Sequence, residues 1–262
     1  NPEWDDCRLR IQKLNDNHDG TMYITQGFIA NSVSPKTTTT LGREGSDFSA
    51  AIFANCLDAE ELTIWKDVDG LRNADPKRFT VTEKIEHLSY FEAIELAFYG
   101  ASIIHPKTLK PLQNKNIPLK VRSFLDTSLE PSVIDGTKDY IKYVPSYIVK
   151  ERQTLMSITP KDYSFMNEHN RALIFNIMDE LNIHANMTQI SALVLSICFD
   201  ENEKKRIMLT DALSQAFKVK YNDGLKLFTI RHYQEGLEKD FIEDKKIYVE
   251  QRSRSTYQIV LE

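Results

Sequence analysis

Hydrophobic positions in the first half of the chain follow two patterns, short apolar runs and repeats of helical spacing. Apolar or β-branched runs predict strands at 21–30, 62–65, 102–104 and 117–123. Apolar residues at helical spacing predict a helix within 46–55. The segment Ser89-Tyr90-Phe91-Glu92 has the spacing of a capping box, in which a serine and a glutamate satisfy helix-terminal amides, so a helix through Ala97 is expected. Alternating strands and helices indicate an α/β sheet that binds ligands at its strand ends.

After Tyr143-Val144-Pro145 the pattern changes to that of a ferredoxin-like unit. Strand, helix, strand, strand and helix are predicted in turn at 154–159, 170–181, 187–190, 193–199 and 204–217. A second round begins with a strand at 225–230, continues with a short helix and ends with strands at 246–250 and 257–261. This second round is incomplete. The predicted domains are therefore 1–147, 148–223 and a shortened 224–262.

Composition narrows the class of protein. A chain of 262 residues with 41% hydrophobic and 27% charged residues is long enough for two globular cores. The net charge of −5 argues against a nucleic-acid partner. No apolar run reaches the roughly 20 residues of a membrane span. The cysteines, Cys7, Cys56 and Cys198, are too scattered for a disulfide framework, so a reducing cytoplasm is expected.

The segment 38–47, TTTLGREGSD, is the strongest candidate for chemistry. Small residues and glycines before a helix let backbone amides approach an anion, and the helix N-terminus adds partial positive charge. Arg43 adds a planar fork that suits a carboxylate or a phosphate. An isolated loop of this kind is more often only a turn, so its meaning depends on the motifs that come after it along the chain.

Four further blocks occur in order: IWKDVDG at 64–70, ADP at 74–76, LSYFEAIELA at 88–97 and GASIIHP at 100–106. Together with the loop at 38–47, these blocks resemble the aspartate kinases, in which TLGRGGSD-like, WTDVDG-like, SY-x-EA and GAKVLHP-like segments occur in the same order. The resemblance covers roughly residues 25–125. It implies the C-terminal, nucleotide-side part of an amino-acid-kinase-type α/β sandwich.

The resemblance also implies a reaction, the ATP-dependent phosphorylation of L-aspartate to 4-phospho-L-aspartate. This is the first step towards lysine, threonine, methionine and isoleucine, and Mg²⁺ travels on the nucleotide phosphates. A carboxylate nucleophile is already ionised, so catalysis rests on positioning and positive charge rather than on a general base. No residue is expected to bind a metal directly.

The family's contacts are carried over to matching positions of this chain. Substrate contacts correspond to Arg43, Ser46 and Asp47, with Asp47 as the catalytic candidate. Nucleotide contacts correspond to Lys66, Asp67, Arg72, Lys77 and Ser102. These five nucleotide-side positions include four departures from the family's common residues, at Lys66, Arg72, Lys77 and Ser102, and Glu44 stands where glycine is common.

The front of the family pattern is not found. Aspartate kinases open with a Lys-Phe-Gly-Gly-Thr-Ser-like strand and loop whose lysine stabilises the transferring phosphoryl group. We therefore expect this polypeptide alone to be inactive as a kinase. The alternative is a stand-alone amino-acid-binding regulatory protein derived from a kinase. Retention of Arg43, Ser46 and Asp47 favours the kinase, because a pure regulatory binder needs none of them.

The second half resembles regulatory ACT domains, which are ferredoxin-like βαββαβ modules. Residues 152–200 are similar to the first ACT domain of monofunctional aspartate kinases, and 225 onward to a shortened second one. The resemblance implies a homodimer through these modules and feedback regulation by an end-product amino acid, most commonly lysine. The family's effector contacts correspond to Met166, Asn167, Ala185, Asn186 and Ser191.

Three conspicuous features are interpreted without a catalytic role. His105 before Pro106 is expected to be structural, since the chemistry needs no base. Trp65 is expected to pack beneath the nucleotide-side sheet. The charged segment 200–206 is expected to be a solvated loop and helix start.

Overall fold

The structure, a computed structural model, describes residues 2–15, 22–101, 104–137 and 143–262. It divides into two compact units, Asn1–Val144 and Pro145–Glu262. The division therefore lies three residues before the boundary drawn from sequence between 147 and 148.

The first unit combines helices with short strands. Its elements are α1 (Trp4–Asn15), β1 (Ile29–Asn31), β2 (Thr38–Thr40), α2 (Gly45–Cys56), β3 (Leu62–Lys66), β4 (Leu71–Arg72), β5 (Lys84–Ile85), β6 (His87–Ser89), α3 (Tyr90–Tyr99), α4 (Pro106–Gln113), β7 (Leu119–Ser123) and β8 (Ser132–Asp135). Its largest sheet has the order β3-β7-β8-β6, in which β3 is parallel to β7, β6 is parallel to β8, and β7 is antiparallel to β8. The pairs β1-β2 and β4-β5 form two small antiparallel ladders.

Strand alternation gives this sheet one buried face. Ile64, Leu119 and Val121 are almost fully buried, as period-two patterning requires. Trp65 lies on the opposite face with 47% of its surface exposed, and the guanidinium of Arg122 lies over its ring at 5.7 Å. The expectation that Trp65 packs beneath the sheet is therefore wrong, because its neighbour Ile64 takes the inward position.

Several predicted elements of the first unit are confirmed, and one is wrong. Helix α3 begins after Ser89, whose hydroxyl accepts a hydrogen bond from the Glu92 amide at 3.2 Å, as the capping box predicts. The predicted buried strand at 21–30 is reduced to β1, and Met22 and Ile24 are 86% and 94% exposed. These side chains have no layer of the described chain over them. The strand predicted at 102–104 falls largely outside the described residues.

The second unit is built around one antiparallel sheet. Its elements are β9 (Ser146–Pro160), α5 (Glu168–Glu180), β10 (Ala185–Ile190), β11 (Leu195–Asp200), α6 (Glu203–Leu213), β12 (Phe217–Arg231), α7 (Lys239–Ile242), β13 (Ile247–Arg252) and β14 (Thr256–Leu261). The strand order is β10-β11-β9-β12-β14-β13, and all neighbours are antiparallel. The boundary drawn from sequence at 223/224 falls inside β12.

The central strands β9 and β12 hold this unit together. Each has 15 residues, and they pair from Phe217 opposite Pro160 to Arg231 opposite Ser146. The register shifts near the middle of the pair, where Arg152 and Gly224 both have positive φ, 53° and 71°. A shift of this kind bends and twists the strands locally.

Two apolar clusters lie in the second unit. The larger one joins the sheet to α5 and α6, and includes Ile158, Ile174, Ile197, Leu209 and Phe217. The smaller one includes Leu155, Met187, Cys198, Val249 and Val260. Because Met187 is on β10 and Val249 on β13, the smaller cluster joins the two outermost strands, so the sheet curls upon itself.

Within the part of the chain that the structure describes, no helix is both long enough and apolar enough to cross a bilayer.

Candidate functional site

The loop before α2 turns sharply into an open helix start. Glu44 is the N-cap residue and adopts the left-handed conformation, with φ 53° and ψ 35°, and its side chain does not cap the helix. The first turn of an α-helix leaves N–H groups without helical partners. The amides of the first turn, Gly45-Ser46-Asp47, therefore begin a helix with no side-chain cap, which is a suitable place for an anion.

The segment around Phe28 braces this loop. The Leu41 amide donates to the Phe28 carbonyl at 2.9 Å, and the Phe28 amide donates to the Ser49 hydroxyl at 2.9 Å. Ser49 in turn donates to the Gly45 carbonyl at 2.9 Å. The Phe28 ring lies so close to Gly45 that a β-carbon there would meet it at 2.5 Å, so glycine is required by this approach.

An ion pair joins the loop to the sheet. The Asp47 carboxylate lies 3.3 Å from the Lys66 ammonium, and both side chains are largely buried, 16% and 29% exposed. Asp47 is in the first turn of α2, and Lys66 is the last residue of β3. The structure thus brings a predicted substrate residue together with a predicted nucleotide residue, at the carboxyl end of a parallel strand pair.

The other predicted substrate residues are available to a ligand. Arg43 and Ser46 are both exposed. No described residue forms an ion pair or a hydrogen bond with the Arg43 guanidinium.

The remaining predicted nucleotide residues differ in their surroundings. Asp67 and Lys77 are exposed. Arg72 is engaged by its own hairpin: it donates to both carboxylate oxygens of Asp69, at 3.2 and 2.8 Å, and to the carbonyl and hydroxyl of Thr82, at 3.1 and 2.9 Å. Ser102 lies outside the described residues. A nucleotide phosphate would therefore have to compete with four hydrogen bonds within the protein for the Arg72 guanidinium.

Glu44 connects the loop to a second helix. Its Oε2 accepts a hydrogen bond from the His105 amide at 2.8 Å. His105 is the N-cap residue of α4, and its Nδ1 accepts from the Lys107 amide at 3.1 Å. The structural role expected for His105 is therefore confirmed, and Glu44 holds the loop against the start of α4.

A histidine–carboxylate pair closes the edge of the same sheet. His87 Nε2 lies 3.0 Å from Asp135 Oδ2, across the parallel pair β6-β8. Burial of Asp135 opposes its ionisation, but hydrogen bonds from Thr137 and His87 outweigh burial and lower the pKa of Asp135 below its ordinary value.

The residues predicted to bind an effector fall into two groups in the second unit. The Met166 amide donates to the Ala192 carbonyl at 2.9 Å, which brings the start of α5 next to the β10-β11 turn that carries Ser191. Asn167 caps α5 by accepting from the Asn170 amide at 3.0 Å. Ala185 and Asn186 form the start of β10.

The Asn186 side chain is used within the protein. Its Oδ1 accepts from the Lys150 ammonium at 2.7 Å, and its Nδ2 donates to Gln153 and Asp200, both at 2.8 Å. Burial lowers the pKa of Lys150. Burial opposes the ionisation of Asp200, but the hydrogen bonds from Gln153 and Asn186 outweigh burial and lower the pKa of Asp200. Both N–H groups of the Asn186 amide are therefore engaged, so an effector could accept a hydrogen bond from Asn186 only by displacing Gln153 or Asp200.

The charged segment 200–206 is only partly solvated. Arg206 is 11% exposed at its side chain, pairs with Asp223 at 3.0 Å and lies over the Tyr221 ring at 4.1 Å. The interpretation as a solvated loop and helix start is therefore wrong for Arg206, because the bulge at 222–225 on β12 brings Asp223 to it.

Sequence reasoning missed several of these groups. Nothing in the sequence links Lys150, Gln153 and Asp200 into a network, and Glu44 stands out only because glycine is common at its position. This glutamate in place of glycine is the one signal in the sequence that points to the role of Glu44. Among the described residues there is no cluster of three histidine, cysteine, aspartate or glutamate side chains that could hold a metal ion.

Comparison with known proteins links this geometry to one family. Residues 5–123 match the amino acid kinase family. The chain is 29% identical over 222 residues to bifunctional aspartokinase/homoserine dehydrogenase 2, chloroplastic, of Zea mays, which covers 83% of this chain and 24% of that protein. It is 30% identical over 186 residues to aspartokinase 1, chloroplastic, of Arabidopsis thaliana, which covers 71% of this chain and 33% of that protein.

A solved structure extends the similarity to nearly the whole chain. E. coli aspartokinase III in complex with aspartate and ADP, in the R-state, is 25% identical with a TM-score of 0.80, and the match covers 99% of this chain and 62% of that one. The same protein in complex with lysine and aspartate, in the T-state, gives a TM-score of 0.74 at 24% identity, covering 99% of this chain and 61% of that one.

This chain spans about a quarter to a third of the length of the curated relatives it matches. The family match begins at residue 5 and gives no support to the expectation that the family's catalytic motif is absent. The chain is therefore similar to the amino acid kinase family over residues 5–123 and to aspartokinases over most of its length.

Proposed function

We propose that the protein functions as an aspartate kinase, which transfers the γ-phosphoryl group of ATP to the side-chain carboxylate of L-aspartate. The products are ADP and 4-phospho-L-aspartate, at the start of lysine, threonine, methionine and isoleucine biosynthesis. The observation that carries the proposal is the 3.3 Å ion pair between Asp47 and Lys66, because it joins the proposed substrate loop to the proposed nucleotide strand. The aspartate and ADP described in the E. coli neighbour support these ligands.

The proposed reaction exchanges one phosphorus–oxygen bond for another. A carboxylate oxygen of aspartate attacks the γ-phosphorus, and the bond from that phosphorus to the bridging oxygen of ADP breaks. No proton needs to be moved, since the nucleophile is ionised at neutral pH. The barrier is the approach of two anions, so the protein must supply positive charge and fixed positions.

On the substrate side, the exposed Arg43 is proposed to bind a carboxylate of aspartate through its two parallel N–H donors. Ser46 and the free amides of the α2 start lie beside it in the sequence and are proposed to assist. Asp47 is proposed to accept the substrate's ammonium group while it holds Lys66 in place.

On the nucleotide side, Lys66 and Asp67 are proposed to contact ATP at the end of β3, and Lys77 and Ser102 are proposed as further contacts. Arg72 is included, with the condition that a phosphate replaces some of its bonds to Asp69 and Thr82. Mg²⁺ is proposed to arrive on the nucleotide phosphates, where it would neutralise developing charge.

The second unit is proposed to be a regulatory ACT pair that binds an amino-acid effector and forms a homodimer. Lysine is the proposed effector, as the resemblance implies, and E. coli aspartokinase III is itself described in complex with lysine. Met166, Asn167, Ala185, Asn186 and Ser191 are the proposed contacts. The proposal includes a cytoplasmic location, although the curated plant relatives are named as chloroplastic.

Calorimetric titration of the chain with Mg-ADP, L-aspartate and L-lysine in separate experiments tests the proposal. Arg43→Met and Asp47→Asn should weaken aspartate binding by about 10-fold or more, because each removes a charge-assisted hydrogen bond. Arg254→Met, at an exposed arginine of the second unit, is the charge-matched control and should leave it unchanged. Turnover is measured separately, by trapping the acyl phosphate product with hydroxylamine.

The outcomes separate the two functional classes. Binding of aspartate and Mg-ADP that depends on Arg43 and Asp47 supports the kinase. Binding of lysine alone, with no response to aspartate or nucleotide, would favour a stand-alone regulatory protein instead.

A further inference from the structure

Glu44 occupies a conformation that its side chain does not favour. Its φ of 53° places it in the left-handed region, where glycine is the usual residue. The position lies between Arg43 and the first residue of α2, so the loop must turn here. A residue with a β-carbon is retained at this turn, and its carboxylate has a defined partner.

That partner is the start of another helix. Glu44 Oε2 accepts the His105 amide at 2.8 Å, and His105 is the N-cap residue of α4. Pro106 comes next and has no N–H of its own, so the His105 amide is the donor that α4 presents to the loop. A negative charge is favourable there, because the partial positive charge of the α4 macrodipole faces it.

A Glu44 carboxylate that was not bound to the His105 amide would interfere with anion binding at Arg43. Arg43 is the adjacent residue, it is exposed, and no described residue pairs with its guanidinium. A free carboxylate one residue away would compete with an incoming anion for Arg43 and repel it. Attachment to α4 gives Glu44 a partner of its own, and it adds a second attachment of the loop besides the Asp47–Lys66 ion pair.

We propose that Glu44 is a positioning residue for aspartate binding: held by the His105 amide, it fixes the 41–47 loop and leaves Arg43 open to the substrate carboxylate. The inference rests on the proposed function for the identity of the anion. It adds a residue that the family resemblance does not assign, and it gives a reason for a glutamate at a left-handed turn.

Three variants separate the hydrogen bond from the backbone strain. Glu44→Gln keeps an oxygen that can accept from the His105 amide. Glu44→Ala removes the acceptor and keeps the strained backbone, whereas Glu44→Gly removes the acceptor and relieves the strain. Glu44→Gly should therefore melt at a higher temperature than Glu44→Ala.

The first readout is hydrogen exchange at the His105 amide in the whole chain, and it needs no ligand. We expect this amide to be protected in the parent protein and in Glu44→Gln, and to exchange faster in Glu44→Ala and Glu44→Gly. Equal exchange in all four proteins would overturn the link between the loop and α4.

The second readout is the affinity for L-aspartate by calorimetry. Loss of the link should weaken binding about 5-fold to 10-fold in both Glu44→Ala and Glu44→Gly, and by less than about 2-fold in Glu44→Gln. A purely structural role predicts that affinity follows melting temperature, so that Glu44→Gly binds better than Glu44→Ala. That result, or unchanged affinity in Glu44→Ala, would overturn the positioning role.

The two readouts also separate this inference from the proposed function. If the parent protein binds no aspartate, the proposed function fails and the role assigned to Arg43 fails with it. The exchange rate of the His105 amide still decides whether Glu44 braces the loop.

Discussion

Replacement of Ser132 by alanine tests how the hairpin β4-β5, which carries Arg72, is fastened to the main sheet. Ser132 is fully buried on β8. Its hydroxyl accepts from the Leu71 amide at 2.8 Å and donates to the Ile85 carbonyl at 2.6 Å, so one side chain holds both strands of the hairpin. Gly70 approaches this hydroxyl so closely that a β-carbon at Gly70 would clash with it.

The cost of Ser132→Ala is set by these two bonds. Alanine removes both of them and leaves one buried donor and one buried acceptor without their partner. At about 1–1.5 kcal/mol for each bond, the first unit should lose about 2–3 kcal/mol of its free energy of unfolding. The volume change is a single oxygen atom, so a cavity adds little.

Tryptophan fluorescence during urea unfolding measures this loss in the correct unit. Both tryptophans of the chain, Trp4 and Trp65, belong to the first unit, so the signal reports that unit alone. Ser128→Ala is the matched control, because the Ser128 hydroxyl donates to Asp126 at an exposed position and should matter by no more than about 0.5 kcal/mol. A loss below about 0.5 kcal/mol for Ser132→Ala, with an unchanged urea dependence, would refute the reasoning.

Three further predictions concern charges and thiols. Arg206→Met should lower the stability of the second unit by about 1–2 kcal/mol in thermal melts, because it removes the ion pair with Asp223 and the contact of the guanidinium with the Tyr221 ring; an unchanged melt would contradict this. Asp135 has a folded-state pKa below its usual 3.8, so its stabilising contribution is complete above that value and is lost as pH falls through the folded pKa. Asp135→Asn should flatten the acid limb of a stability–pH curve, and a parallel curve would show that the carboxylate contributes nothing. Burial raises the pKa of Cys198 to about 12, so in the folded protein a thiol reagent should label the partly exposed Cys7 first; equal labelling rates would be inconsistent with the structure.

Local signals in the sequence predicted the elements that depend on local interactions. The cap at Ser89 and the helical spacing of 46–55 were sufficient for α3 and α2, since both start signals and periodicity lie within a few residues. The apolar run that begins at Met22 gave a wrong prediction of a buried strand, because the burial of an apolar run depends on which layer of the protein covers it. Helix α4 was not predicted, because Pro106 and Pro111 interrupt its pattern although the first of them suits a helix start.

The candidate site divides in the same way. The loop containing Arg43 and Asp47 could be found from composition and order of motifs, because its residues are adjacent in the sequence. The pairing of Asp47 with Lys66, and that of Glu44 with His105, join segments that are far apart in the chain. A single sequence does not show such pairings. The hydrogen bonds of Arg72 to Asp69 and Thr82 are equally invisible in the sequence, and they occupy a side chain that the resemblance assigns to the nucleotide.

The continuous pairing of β9 with β12 has a consequence for how the second unit can be divided. Because β9 pairs with both parts of β12, its residues from Ser146 to Gln153 find their β12 partners in 225–231, so residues 224–262 complete a sheet that 148–223 begins. A chain cut between Asp223 and Gly224 would leave the first part of β9 with an unpaired edge, which favours aggregation. The unit should accordingly unfold in a single transition, and exchange of this half between related proteins should succeed only when both long strands move together.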